Sequence, residues 1–508
     1  MKKRILCMLL ASSMVLGLTA CGGGQEKEDD LVVKAGVPTY EDNQQIELAA
    51  YCGPRREGKR FWGGDYGGHP NDPASGWDGW ITEEAFQDYI DCGFTYMLPE
   101  ADAFYDYTYA NGKHQPVLSF KDGDLYPFME LAEKMGMPVV VSCQQINSLT
   151  SSTDHRLTEE HKQFMQQMVK DLSAYKTFKG FTFRDEPWIE SVRAFGAVRE
   201  YLQSLKPDSY FFTSCFPIYV SDMEALTTEK TDNKEEAYRS YVDAFAKAGG
   251  TFAYDSYPLW IDPVMGGTYL DTTWFQNLRI VAESAKENKY DAGITIQSTT
   301  WGAPGAEYTQ KHNREIQTKA DVGFQMYTSL AYGMKYVSYY TYWQHWSDGP
   351  GSIHYSAMVN YPKEDGGEPV KTDAYYAVKD VNLEVKKFDH VFLNYDWQGT
   401  MQVVPEGKTA SAVLSQVGGY KNARIASASA TEEAIIGCMK DADGYDGYWI
   451  VNATDPGQNK ANSVTVEFKK ATKAIAYILG EETEITLENG KYTFELASGD
   501  GVFVIPIQ

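Results

Sequence analysis

The sequence predicts a (β/α)8 TIM barrel followed by a small all-β antiparallel sandwich domain. Eight short β-like runs alternate with amphipathic helical stretches from Ile46 to about Phe392. No GxGxxG opens a helix, as a doubly wound open sheet with a dinucleotide site would require. Beyond Leu393 the helical periodicity stops, and short alternating runs separated by turn residues take over.

The β-like runs are, in order, "IELAAYCG" from Ile46, "FTYMLPEAD" from Phe94, "MPVVVSCQQ" from Met137 and "FKGFTFRDEP" from Phe178. Then come "SYFFTSCFP" from Ser209, "GTFAYDSYP" from Gly250, "AGITIQSTTW" from Ala292 and "KYVSYYTYW" from Lys335. Helical patterns such as "TEEAFQDYIDCG", "YPFMELAEKMG" and "EEHKQFMQQMVKDLSAY" lie between them, two of them stopped by a glycine just before the next strand. The last helix reads "TDAYYAVKDVNLEVKKFDHVF". After it, "TMQVV", "ARIASASA", "AIIGCMK", "GYWIVNA", "SVTVEF", "KAIAYI" and "KYTFEL" alternate as half-buried strands do. The Asn-Gly of "ENGKYTFEL" signals a hairpin, and "DADGYDG" reads as a plain turn because it lacks the spacing and closing Glu of a calcium loop. The expected units are residues 46–392 and 393–508.

At the N-terminus a basic head and a short apolar run end in Leu18-Thr19-Ala20-Cys21. The run is short for a membrane span and reads as an export signal over residues 1–20. Its end resembles the bacterial lipobox, which implies lipidation of Cys21. "GGGQEKEDD" then starts a flexible tether over residues 21–45. An extracytoplasmic, membrane-anchored lipoprotein is expected, touching the membrane through its lipid alone. Of seven cysteines, Cys52, Cys92, Cys143, Cys215 and Cys438 follow the anchor, most beside apolar runs, and read as buried thiols. Neither zinc spacing nor a nucleophile elbow is present, so no metal or cofactor is expected. With 46 Lys+Arg against 70 Asp+Glu, the net charge of −24 disfavours nucleic acid and anionic lipid, while a neutral ligand such as a sugar remains compatible. A monomer is expected.

Chemistry in a barrel of this type sits at the C-terminal strand ends. On the fourth strand, alternation sends Phe181 and Phe183 toward the helices and Thr182, Arg184 and Glu186 inward, with Asp185 on the rim. Pro187 cannot continue the ladder, so the two carboxylates are held where the strand stops. The same reasoning turns Asp255 and Tyr257 of the sixth strand and Gln297 of the seventh toward the mouth. Glu100 and Asp102 end the second strand, Trp301 follows the seventh, and Trp343 follows the eighth. Carboxylates among aromatic rings suit sugars, whose C–H faces stack on rings while their hydroxyls bond carboxylates.

The strand-four pattern "GFTFRDEP" followed by a sandwich resembles the clan A glycoside hydrolases, as do "GFQMYTSLAYGMKYVSYYTYW" and "YTFELASGDGVFVIPI". The resemblance implies glycosidic-bond cleavage with Glu186 as the general acid/base, Asp185 standing where that clan has asparagine. Its strand-seven nucleophile is missing, because Gln297 occupies that place. The Asp-Glu pair also resembles the substrate-assisted β-N-acetylhexosaminidases, which implies that Asp185 orients a 2-acetamido group that attacks in place of an enzyme nucleophile. A further alternative makes Asp255 the second carboxylate. The catalytic candidates are therefore Glu186, Asp185 and Asp255. The substrate-binding candidates are Glu100, Asp102, Tyr257, Gln297, Trp301 and Trp343. A non-catalytic glycan-binding lipoprotein on the same fold is the competing function.

Overall fold

The computed structural model describes residues 33–54, 81–99, 107–110, 113–116, 119–122, 125–262, 266–301, 312–344, 355–360 and 369–508. Parallel strands Glu47–Ala50, Tyr336–Tyr340, Ala292–Gln297, Phe252–Asp255 and Ser214–Cys215 form one sheet in that order. Val139–Val141, Phe178–Thr182 and Tyr210–Phe212 form a second. Only Thr213 separates the Tyr210 and Ser214 strands. The segment Phe94–Leu98 bonds to both sheets: Thr95 N donates to Leu48 O at 2.8 Å, and Val140 N donates to Met97 O at 3.0 Å.

Side chains divide by the two-residue period. Ala49, Tyr96, Leu98, Val140, Phe212, Ala253 and Tyr336 gather in one apolar cluster. Leu48, Val139, Phe181, Tyr254, Ile294 and Val337 fall on the other faces and pack with the helices. On the Phe178 strand the phase is reset by a bulge, since Val139 pairs with Phe178 but Val140 pairs with Gly180. Phe181 and Phe183 therefore reach the helix side as expected, with Phe183 edge-on to Phe195 at 5.0 Å. Glycine is required at 180, because a Cβ there would lie 1.8 Å from Tyr210 O. At the strand-start end, Lys179 pairs with Glu47 at 2.7 Å and lies over the Tyr96 and Tyr210 rings. The site is at the opposite end.

Helices follow the strands as the apolar spacing dictates. Thr82 caps Glu83–Asp91 by accepting from Ala85 N, and the helix stops before Gly93, whose φ is +83°. Asn233 caps Lys234–Gly249 in the same way. The last helical stretch is Asp373–Lys386 with a short turn at Asp389–Phe392. All five cysteines after the expected anchor are buried.

From Tyr395 onward the chain is antiparallel β. A six-stranded sheet runs Tyr395–Val403, Ala434–Asp441, Asp446–Asn452, Gly501–Ile507, Lys473–Ile478, Glu481–Thr486. A three-stranded sheet of Ile425–Ala430, Asn462–Phe468 and Lys491–Leu496 faces it across Ile436, Cys438, Tyr448, Val464, Phe494 and Val504. The Ala434 strand is buried on both faces, because Ile435 and Met439 on its other side join the core shared with the helices. Gly437 permits this docking, since a Cβ there would stand 2.1 Å from Ala331 O. "DADGYDG" is a turn in which Tyr445 N donates to the Asp441 carboxylate at 2.6 Å.

Candidate active site

Strand four ends in a backbone held from two sides. Glu186 N donates to Ser214 O of the next strand at 2.8 Å, and Tyr241 Oη donates to Pro187 O at 2.7 Å. Tyr241 is itself fully buried in the helix Lys234–Gly249 and accepts from Phe216 N at 3.3 Å. Between these anchors Glu186 adopts φ +46°, a left-handed conformation that costs a non-glycine residue on the order of 1–2 kcal/mol. Such strain persists only where the surroundings enforce it, and here the neighbouring strand and helix do so.

Three of the expected residues come together. Asp185 and Glu186 end the Phe178 strand, and Asp255 ends the Phe252 strand, and the three feel one another electrostatically. Burial pushes the Asp185 carboxyl up to about 7, and the charge of Glu186 adds to this while Arg184 opposes it. Asp185 nevertheless keeps a solvent-exposed side, the setting of a carboxyl in a depression. Burial raises Glu186 as well, again opposed by Arg184. Asp255 is only 9% exposed and lies well above the ordinary carboxylate range, through burial first and then through Glu186 and Asp185. Burial outweighs the repulsion within the Asp-Glu pair as the cause of these shifts.

Aromatic rings surround these acids. Tyr340 lies 6.2 Å from Tyr51 and 5.8 Å from Tyr257. Burial raises the hydroxyls of Tyr51, Tyr257 and Tyr219, and Asp255 contributes to each. Tyr257 thus stands beside Asp255. Ser214, Thr295 and Ser338 link their hydroxyls beneath, at 3.3 and 2.7 Å. Trp188, next after Pro187, is 45% exposed. Sequence reasoning passed over Tyr51, Ser214, Tyr219 and Tyr340. For Tyr51 and Tyr340 the signal was present, because Ala49-x-Tyr51 and Ser338-x-Tyr340 share the inward phase.

Two expected substrate contacts are placed elsewhere. Gln297 is fully buried, and its amide donates to Arg314 O at 2.7 Å and Thr299 O at 3.1 Å, so it holds the following loop rather than facing the depression. Trp343 is 2% exposed and packs in the core near Tyr342. Inward phase alone does not distinguish a residue at the mouth from one folded under a loop. Glu100, Asp102 and Cys21 lie outside the described residues, as does the side chain of Trp301.

No protein-family model matches the chain, and no curated protein matches it. Among solved structures it is similar to a protein described as a glycoside hydrolase, at 12% identity over 93% of this chain and 94% of that one, with a TM-score of 0.49. It is also similar to a glycoside hydrolase family 5 protein from Bacteroides vulgatus, at 11% identity over 91% and 89% with a TM-score of 0.49. An Anoxybacillus alpha-amylase is similar at 12% identity over 91% and 98%, with a TM-score of 0.44.

Proposed function

We propose that the chain is a glycoside hydrolase whose chemistry is divided between Glu186 and Asp255. The observation that carries the reading is the convergence of three mutually repelling carboxyls from two strand ends among tyrosine rings. Two carboxyls in unlike environments are what acid and base roles at a glycosidic bond require. Asp255 is the more buried, and its Oδ1 has no hydrogen-bond partner among the described residues, so it keeps its proton and serves as the general acid. Glu186 is partly exposed, with Arg184 favouring its charge, and serves as the ionised partner. This reverses the part that the sequence resemblance implies for Glu186. Supporting the reading, the hydrogen bonds that run from Phe94–Leu98 to both parallel sheets favour a closed eight-stranded barrel. The change of element type at Tyr395 favours a separate C-terminal sandwich. The signal-like start and Cys21 favour a lipid-anchored protein acting on glycans outside the cytoplasm.

The test uses aryl glycosides with poor and activated leaving groups. Asp255→Asn is expected to lose ~10²–10⁴-fold on poor leaving groups and much less on activated ones, because only the former need protonation. Glu186→Gln is expected to lose activity on both. The opposite pattern returns the acid role to Glu186. Turnover confined to 2-acetamido sugars and abolished in Asp185→Asn would establish the substrate-assisted route instead. Glycan binding without new reducing ends would leave a binding protein.

A further inference from the structure

Three short strands sit above the carboxyl-bearing end: Leu259–Ile261 pairs with Thr268–Leu270 on one side and with His312–Asn313 on the other. The Asn313 amide donates to Tyr257 O at 3.2 Å, and the Trp260 indole donates to the same carbonyl at 2.8 Å. Tyr257 is the tyrosine beside Asp255. The next residue, Arg314, donates its N–H to Leu259 O at 3.0 Å and accepts from the Gln297 amide at 2.7 Å. The backbone of Arg314 thus ties the extension of strand six to the end of strand seven.

Its side chain reaches away from the depression. The guanidinium lies 2.5 Å from Asp321 Oδ1 and 3.8 Å from Asp455 Oδ1, in a site where all three side chains are nearly excluded from water. Asp321 belongs to the helix Lys319–Leu330, and its other oxygen accepts from Gln317 N and Thr318 N at 3.0 Å. One turn on, Gln325 holds the Gln297 backbone from both sides, at 2.8 and 3.1 Å. Asp455 belongs to the C-terminal β region, in the connection before strand Asn462–Phe468, and also accepts from Gly457 N at 2.9 Å. That connection presses on the strand-six extension, where a Cβ on Gly457 would lie 2.5 Å from Thr268 Oγ1.

We propose that Arg314 is a positioning residue, through which Asp455 of the C-terminal β region fixes the loop carrying Tyr257 against Asp255. The inference rests on the reading of Asp255 as catalytic. A single nitrogen, Nη2, faces both carboxylates in a site nearly excluded from water, where attraction between unlike charges is weakly screened, so the loop is drawn toward Asp455 as well as Asp321. The C-terminal region is then part of the apparatus that sets the reacting geometry, where a misplacement of about 1 Å can cost on the order of 100-fold.

Asp455→Asn is the informative variant, because the amide keeps an oxygen for Gly457 N and removes only the charge. Two readouts are taken on the full chain. Hydrogen exchange by mass spectrometry is expected to quicken in peptides covering 256–262 and 312–316 and to remain unchanged in the distant strand Val139–Val141. On an aryl glycoside that the wild-type protein turns over, kcat is expected to fall about three- to tenfold with KM held, the scale that residues remote from a ligand exert. Should the variant not fold, Arg314→Lys is read in the same way, since the shorter side chain keeps the cation but draws it back from the two carboxylates. Unchanged exchange in both segments overturns the clamp. Faster exchange with unaltered kcat overturns the positioning role. A wild-type protein without hydrolase activity defeats the proposed function and leaves the exchange result to decide the clamp alone.

Discussion

Replacing Asp185 by Asn is expected to stabilise the folded chain at neutral and alkaline pH, although the residue lies at the centre of the candidate site. In the fold its carboxyl holds a proton up to about 7, whereas the ordinary value is 3.8. Between those limits the native state binds more protons than the unfolded one, so stability falls as pH rises through the window and stays low above it. At ~1.4 kcal/mol for each pH unit of displacement the ceiling is ~4 kcal/mol. Asp185 is open to water on one side, and solvent screening brings the expected gain down to ~1–2 kcal/mol. Loss of its charge also relieves Asp255, which feels it directly. The assay is urea unfolding of both proteins at pH 4, 6 and 8, followed by tryptophan fluorescence. The stability difference should be near zero at pH 4 and open by pH 8, and acidic groups that do not feel Asp185 cancel in that comparison. A difference that is flat with pH, or that favours the wild type at pH 8, would refute the argument that burial holds this carboxyl protonated.

Two further substitutions probe how the site is supported. Tyr241→Phe removes the donor to Pro187 O and the acceptor for Phe216 N, leaving buried backbone groups unsatisfied. A loss of ~1–3 kcal/mol is expected in denaturant unfolding, with kcat falling because the backbone after Glu186 is released. Gly437→Ala places a methyl 2.1 Å from Ala331 O, a backbone atom that cannot swing aside. The sheet must shift off the helix, at a cost of ~1–3 kcal/mol visible as a lower thermal midpoint, while substrate KM stays near its wild-type value.

The parts of the fold that could be read in the sequence are those governed by one periodicity at a time. Strand phase placed Phe181 and Phe183 on the helix side, and Asn489-Gly490 marked a two-residue turn that the structure closes between Glu488 and Lys491, with φ of +52° and +81°. The strand Glu481–Thr486 went unread because its residues are glutamate-rich and almost wholly exposed, the guise of an edge strand protected by charge. In the site, Asp255 stands at a strand end as phase places it, whereas Gln297 and Trp343 are buried. Both lie under loops that return over the strand ends, and that return depends on partners such as Arg314 and Val359 distant in sequence. Tyr219 was not legible for a related reason: it sits in a connection after strand five, where no alternation applies.

Two buried aspartates show why Asp255 is assigned to chemistry and not to architecture. Asp321 is as buried as any carboxylate among the described residues, yet both of its oxygens are committed, one to Arg314 and the other to the start of its own helix. Nothing is left over for a ligand, and no cost is left unmet. Asp255 is buried with like charges for neighbours, and among the described residues its Oδ1 accepts nothing. An unsatisfied polar atom of this kind costs on the order of 1–3 kcal/mol; Asp455 Oδ2 carries the same cost but its carboxylate faces the Arg314 cation, whereas the charges beside Asp255 are carboxylates. The cost falls if the carboxyl is protonated, and falls again when a hydroxylated ligand supplies the missing partner. The supports of the neighbouring strand end follow the same economy. Glu186 is fixed through its backbone nitrogen and Pro187 through its carbonyl, so the carboxyl itself is not spent on holding the turn. A site whose backbone is tied down while one buried carboxyl oxygen, Asp255 Oδ1, has no partner among the described residues is arranged to bond something that is not part of the protein.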